Sequence, residues 1–225
     1  MSWEMAIILG LTVSLIALYA LGSIWNRRIQ RSFWRELRTV LKRYSRRVSF
    51  KSLGSSGFKA AFRPSSGPLK KVEISLVLLA REMPLYLLAA YATGRRDMMI
   101  VKANLAERPD FQLEVFGKGA RLEREITVKE GLFKPVKVGG LGRYVNVLSD
   151  KPGKASELLS GEVLECLTAL RGCLERFSVS RREPHVLIAC RRDESAIGTV
   201  FRLLEATAEA ICGPGELTRG RRGRR

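Results

Sequence analysis

AIILGLTVSLIALYALGSIW, Ala6 to Trp25, is twenty residues without a charge. At about 1.5 Å of rise per residue a helix of that length spans about 30 Å, the hydrocarbon thickness of a bilayer. Trp3 and Trp25 flank the run, where indoles settle at the two headgroup levels. The segment therefore predicts a transmembrane helix over 6–25. Ala20 and Gly22 offer a small-x-small site that a cleaved signal peptide would use, but the residues ahead of the run hold Glu4 and no base, and a signal peptide needs a positive n-region. The arginines all lie beyond the run, so the positive-inside rule predicts a signal anchor in the cell membrane. Residues 1–5 are then outside, and everything after the helix is cytoplasmic.

The formal charge of +18 is concentrated rather than spread. Residues 26–51 hold ten Lys or Arg against Glu36 alone, the last seven residues hold five Arg, and the stretch 52–218 balances 25 bases against 20 acids. Projected at about 100° per residue, segment 26–47 reads as a basic amphipathic juxtamembrane helix. Arg27, Arg28, Arg31, Arg35, Arg38, Lys42 and Arg46 fall in one arc, where they can meet anionic lipid or phosphate. Phe33, Trp34, Leu37, Leu41 and Tyr44 form the apolar side together with Ile29 and Val40. Two placements are open for that side: the acyl boundary of the inner leaflet, with the helix lying in the interface, or the surface of the following domain, with the anchor helix running straight on.

A second apolar stretch, Val72 to Thr93, is interrupted by Arg81, Glu82 and Pro84, and each charge costs about 2.5–3.5 kcal/mol at a bilayer centre. It predicts a strand followed by a short helix, PLYLLAAYATG, opened by Pro84 and closed by Gly94. The GSSG of Gly54–Gly57 and the PSSG of Pro64–Gly67 are turns around a short strand. Alternating runs at 98–105, 111–116, 126–128, 136–138 and 143–149 continue the strand pattern. Val163, Leu167, Leu170, Leu174 and Phe177 keep a helical period behind Ser160 as N-cap, two strands follow at 177–180 and 185–190, and Asp193 precedes a final helix through Ile197, Phe201, Leu204 and Ile211. The expected fold is α+β over 48–213: a mainly antiparallel sheet with helices on one face. Residues 214–225 read as a disordered Arg/Gly tail.

Chemistry is sparsely signalled. His185 is the one histidine, at the start of an apolar strand, and reads as structural, because a metal site or a catalytic base needs partners. The GGLGR of Gly139, Gly140 and Gly142 has no following helix and reads as a turn rather than a nucleotide loop. Glu162, Glu165, Asp193 and Glu194 are carboxylates that nothing in the sequence selects. Cys166, Cys173, Cys190 and Cys212 lack CxxC spacing and read as reduced and mostly buried thiols. No catalytic, metal or cofactor residue is assigned.

RRDMMIVKANL (Arg95 to Leu105) and EPHVLIAC (Glu183 to Cys190), behind one N-terminal anchor, resemble uncharacterised archaeal membrane-anchored proteins. The resemblance implies a fold and a location and carries no activity; two Gln and three Asn beside 28 Arg fit a thermophilic source. The sequence thus points to a non-enzymatic interaction or scaffold module that binds a protein partner or a second copy, held to anionic lipid by its basic flanks. An RNA- or ribosome-binding membrane protein is the alternative, in which Arg219, Arg221, Arg222, Arg224 and Arg225 contact phosphate. An enzyme with a site built by the fold is the second alternative.

Overall fold

A computed structural model describes residues 3–117, 133–139, 142 and 145–213. The expected strand at 126–128, Gly140, Arg143, Tyr144 and the arginine tail lie outside the described residues.

One helix, α1 (Trp3–Leu41), carries the apolar run and most of the basic segment without a break. It leads through a turn into β1 (Val48–Ser52), β2 (Gly57–Phe62) and β3 (Leu69–Val77). Helix α2 (Pro84–Ala92) connects β3 to β4 (Met98–Leu105). Then come β5 (Leu113–Gly117), β6 (Lys134–Pro135), β7 (Val145–Ser149), α3 (Pro152–Leu158), α4 (Gly161–Ala169), β8 (Leu174–Val179), β9 (Val186–Arg191) and α5 (Ile197–Cys212). Among the described residues the strands form one nine-stranded sheet in the order β1-β2-β3-β4-β9-β8-β5-β7-β6, antiparallel at every pairing.

Side chains alternate across a strand, and one face of the sheet is the core. Phe58, Ala60 and Phe62 of β2, Ile74 and Leu76 of β3, Met99 and Val101 of β4, and Ile188 and Cys190 of β9 are all buried. The second half of α1 and helices α3, α4 and α5 cover that face in a single cluster. The fold is α+β, as the segregation of strands and helices predicts.

The predicted strand-and-helix unit over 72–93 is β3 and α2. Pro84 occupies the first turn of α2, where its missing N–H costs nothing, and Gly94 closes it at φ +71°, a left-handed conformation that suits glycine. The helical period through Leu174 and Phe177 runs past the real helix. Helix α4 stops at Ala169, a turn over Leu170–Gly172 follows, and Leu174 and Phe177 are buried residues of β8. The spacing of three favours a helix, and β8 turns both residues inward through an irregularity between Leu174 and Arg176. Ser160 has extended dihedrals but makes no cap bond, its hydroxyl donating instead to the Glu157 carbonyl at 2.6 Å.

Candidate membrane-facing site

The first twenty-three residues of α1 present an apolar surface, with Ile7, Leu11, Ile16, Leu21 and Trp25 among its exposed side chains. The helix is long and apolar enough to cross a membrane. From Gly22 onward one stripe turns inward: Gly22, Asn26, Phe33, Leu37 and Leu41 are buried at helical spacing.

That stripe settles the apolar side of the basic segment on the domain. Phe33 packs on Phe58 with ring centroids 6.2 Å apart, Trp34 stands edge-on to Phe50 and Phe58 at 4.9 and 5.5 Å, and Tyr44 meets Phe62 and Phe201 at 6.1 and 5.2 Å. Leu37 and Leu41 belong to the same core. Of the two placements open for Phe33, Trp34, Leu37, Leu41 and Tyr44, these contacts are those of packing on the domain. A helix that runs unbroken out of the apolar run points away from the acyl boundary, and the aromatic side chains of β1 and β2 take the surface that lipid would have taken.

The basic arc faces outward: Arg27, Arg28, Arg31, Arg35 and Arg38 are exposed on α1, as are Lys42 and Arg46 just beyond it. The continuous helix grades them by distance. At about 1.5 Å per residue Arg27, Arg28 and Arg31 lie within about 10 Å of Trp25 along the axis, and Arg38 about 20 Å away. Arg46 instead lines an open groove with Arg47, Arg63 and Lys71 at the far end of the domain, about 930 Å³ in volume.

The junction between the apolar part of α1 and the domain is built from polar residues. A Cβ at Gly22 would lie 2.3 Å from the Arg81 carbonyl oxygen, so the loop between β3 and α2 rests directly on the helix backbone. One turn on, fully buried Asn26 donates from Nδ2 to the Leu79 carbonyl at 2.8 Å and to Glu82 at 3.4 Å. Its Oδ1 accepts from Arg81 Nη1 at 2.8 Å. Arg81 forks onto Asp97 at 3.1 and 2.8 Å and stands over the Trp25 ring at 5.9 Å. Arg192 also reaches Asp97, at 3.3 Å on Oδ2, and binds Glu194 at 2.6 Å. Glu82 accepts from the Ser55 hydroxyl, and Gln30 donates to the Gly54 carbonyl at 2.8 Å.

Asp97 is the centre of this network, 8% exposed, and also accepts from the Leu79 N–H at 2.9 Å. Burial alone raises its pKa, but the hydrogen bonds from Arg81 and Leu79, with the Arg81 and Arg192 charges, outweigh it and hold the carboxyl below its ordinary value. It stays ionised and paired, and among the described residues the buried side-chain polar atoms are satisfied.

Helix α2 rides on this clamp and is nearly bare. Of its residues only Ala90 is buried, while Leu85 is 82% and Leu88 67% exposed. Arg95 donates to the Tyr86 hydroxyl at 3.1 Å, and Arg96 stands 5.8 Å over the Tyr91 ring.

The other residues singled out in the sequence are placed apart. His185 is buried, and its Nδ1 accepts from the Leu105 N–H at 3.0 Å; burial pushes its pKa down. Glu162 pairs with Arg202 at 2.9 Å, Asp193 accepts from Ser195 in a turn before α5, and Glu194 belongs to the clamp. Glu165 lines a shallow surface depression. All four thiols are free, Cys166 and Cys190 buried, and a hydrogen bond that the Cys190 thiol donates to Cys173, together with burial, raises the Cys190 pKa. Among the described residues no three His, Cys, Asp or Glu are grouped to hold a metal.

Sequence reasoning did not find Gly22, Asn26, Arg81 and Asp97. The signal was present in the charged break at Arg81 and Glu82, which excluded a second span, and in Asn26, the first polar residue after the apolar run.

No family model and no curated protein matches the chain. Among solved structures it is similar to the crystal structure of the mycobacterial trehalose monomycolate transport factor A, TtfA, at 11% identity and a TM-score of 0.44, over 76% of this chain and 81% of that chain.

Proposed function

We propose that the chain is a single-pass, membrane-tethered interaction module without catalytic activity, its N-terminus outside and its α+β domain at the cytoplasmic face. Ala6–Trp25 spans the bilayer. Arg27, Arg28 and Arg31 rest on anionic headgroups, each contributing about 1 kcal/mol beside an acidic leaflet. The more distant Arg35, Arg38, Lys42 and Arg46 lie beyond about one Debye length and serve acidic groups of a protein partner, for which the groove lined by Arg46, Arg47 and Arg63 is the receiving surface.

The observation that supports this reading is the buried clamp of Asn26, Arg81 and Asp97. A flexible tether lets a domain sample the cytoplasm, whereas a helix that enters the core through Phe33 and Leu37 fixes the height and orientation of the domain above the lipid. Fixed placement is what a scaffold or docking module requires.

The test is in two parts. Protease added outside intact cells should leave everything after Arg47 intact; digestion there would reverse the orientation. Crosslinking in native membranes should then recover a protein partner, lost when Arg46 and Arg63 are changed to Glu. Recovery of rRNA instead would replace this reading with the RNA-binding one.

A further inference from the structure

We infer that α2 is a second membrane contact: a short helix inserted edgewise into the same leaflet that α1 leaves. The inference rests on the reading of Ala6–Trp25 as the span.

Height is the first support. The loop that precedes α2 touches α1 at Gly22, through the Arg81 carbonyl, and at Asn26. Gly22 lies inside the uncharged run and Trp25 is its last residue, so this contact falls where the span meets the headgroups. The domain has no clearance from the bilayer there. The element that emerges beside that contact is α2.

Chemistry is the second. From Met83 to Gly94 the chain carries no charge, and Met83, Leu85, Leu88 and Tyr91 are exposed at 58, 82, 67 and 48%. A soluble domain seldom turns a helix of this composition almost wholly to water. A nine-residue helix is too short to cross a bilayer, but its length suits one lying in the interface.

The rim is the third. Arg81 precedes the segment, and Arg95 and Arg96 follow it. Each guanidinium contacts an aromatic ring or its hydroxyl: Arg81 with Trp25, Arg95 with Tyr86 and Arg96 with Tyr91. Aromatic rings and arginines at the ends of an apolar segment are the arrangement of a headgroup belt. The leucines then face acyl chains, and the exposed guanidinium groups of Arg95 and Arg96 face phosphates, while that of Arg81 stays on Asp97. Two contacts, the span and α2, limit the tilt of α1 and of the domain built on it.

The experiment uses the full chain in nanodiscs of phosphatidylcholine and phosphatidylglycerol. The photoreactive residue p-benzoylphenylalanine replaces Leu88, Ile16 in the anchor, or exposed Ser66 in the distal β2–β3 loop. After irradiation, intact mass reports any lipid adduct. Adducts at positions 88 and 16 with none at 66 are expected. An adduct at 16 with unmodified protein at 88, or with a crosslinked dimer through 88, overturns the role of α2 and leaves the span standing. No adduct at 16 overturns the span, and the inference with it. Adducts at all three positions would mean that the whole domain surface lies on lipid, which also overturns a contact confined to α2.

Discussion

Asn26 and Arg81 stand 55 residues apart in sequence, and the Asn26 carboxamide accepts a 2.8 Å hydrogen bond from the Arg81 guanidinium. The same carboxamide donates to the Leu79 carbonyl, so one buried side chain satisfies two groups of the loop. Asn26→Leu removes both bonds without opening a cavity and leaves a carbonyl and a guanidinium short of partners. Desolvated groups left unpaired cost about 1–3 kcal/mol. Arg81→Leu removes the two-pronged partner of the Asp97 carboxylate and leaves it Arg192 and the Leu79 N–H, and breaking a buried pair from one side costs up to about 3–5 kcal/mol. Denaturant unfolding in mild detergent should rank wild type above Asn26→Leu and Asn26→Leu above Arg81→Leu.

Gly22 and Gly10 separate packing from helix propensity, since both lie in the same helix and the same apolar run. A Cβ at Gly22 would meet the Arg81 carbonyl at 2.3 Å, whereas one at Gly10 meets nothing within 4 Å. Gly22→Leu should force the loop off α1 and expose the Leu79 amide, which donates to Asp97. Hydrogen exchange at Leu79 should speed up in that variant and remain at the wild-type rate in Gly10→Leu. Equal rates in both variants would mean that the loop does not lean on the helix.

Phe33 tests whether the basic segment is core or lipid-facing. Its ring is fully buried against Phe58, and truncation of a buried phenylalanine costs about 3–5 kcal/mol. Phe33→Ala should therefore destabilise the domain by that order, with Leu37→Ala costing about 2–5 kcal/mol. An interfacial helix would give neither loss in detergent, where no bilayer is present.

Much of this was legible in the sequence, and the parts that were not have a common cause. The apolar run, the strand alternation of Val72 to Leu78 and the N-terminal Pro84 of α2 are local signals, and each element formed where its residues required it. The extent of the helix through Leu174 failed because Leu174 and Phe177, three apart, keep the helical period, while in β8 an irregularity between Leu174 and Arg176 lets both pair with β9, across Cys190 and Ile188. The apolar side of residues 27–46 was visible, but not what it faces, since lipid and a phenylalanine-rich sheet face look alike to an amphipathic helix. The clamp left separate marks, the charged break at Arg81 and Glu82 and the polar Asn26, but no spacing rule joins Asn26, Arg81, Asp97 and Arg192 into one site.

His185 and Asp97 should divide the acid response of the protein into two windows. Burial lowers the folded-state pKa of His185 from its ordinary 6.5, helped by the charges of Arg108 and Lys70 and opposed by Glu183. Below about pH 6.5 the unfolded chain therefore holds a proton that the folded chain does not, and stability falls with pH there. The physical event is loss of the acceptor, because a protonated Nδ1 cannot take the Leu105 N–H. Asp97 is held below its ordinary 3.8, so its contribution is present above that value and is lost only as pH falls through the lower folded-state pKa. Unfolding midpoints measured from about pH 7.5 to about pH 5 should decline, and His185→Gln should flatten that decline while leaving the steeper loss below about pH 4, where carboxylates titrate. Asp97→Asn should do the reverse. A decline between about pH 7 and about pH 5 that persists unchanged in His185→Gln would show that His185 is not the group being titrated.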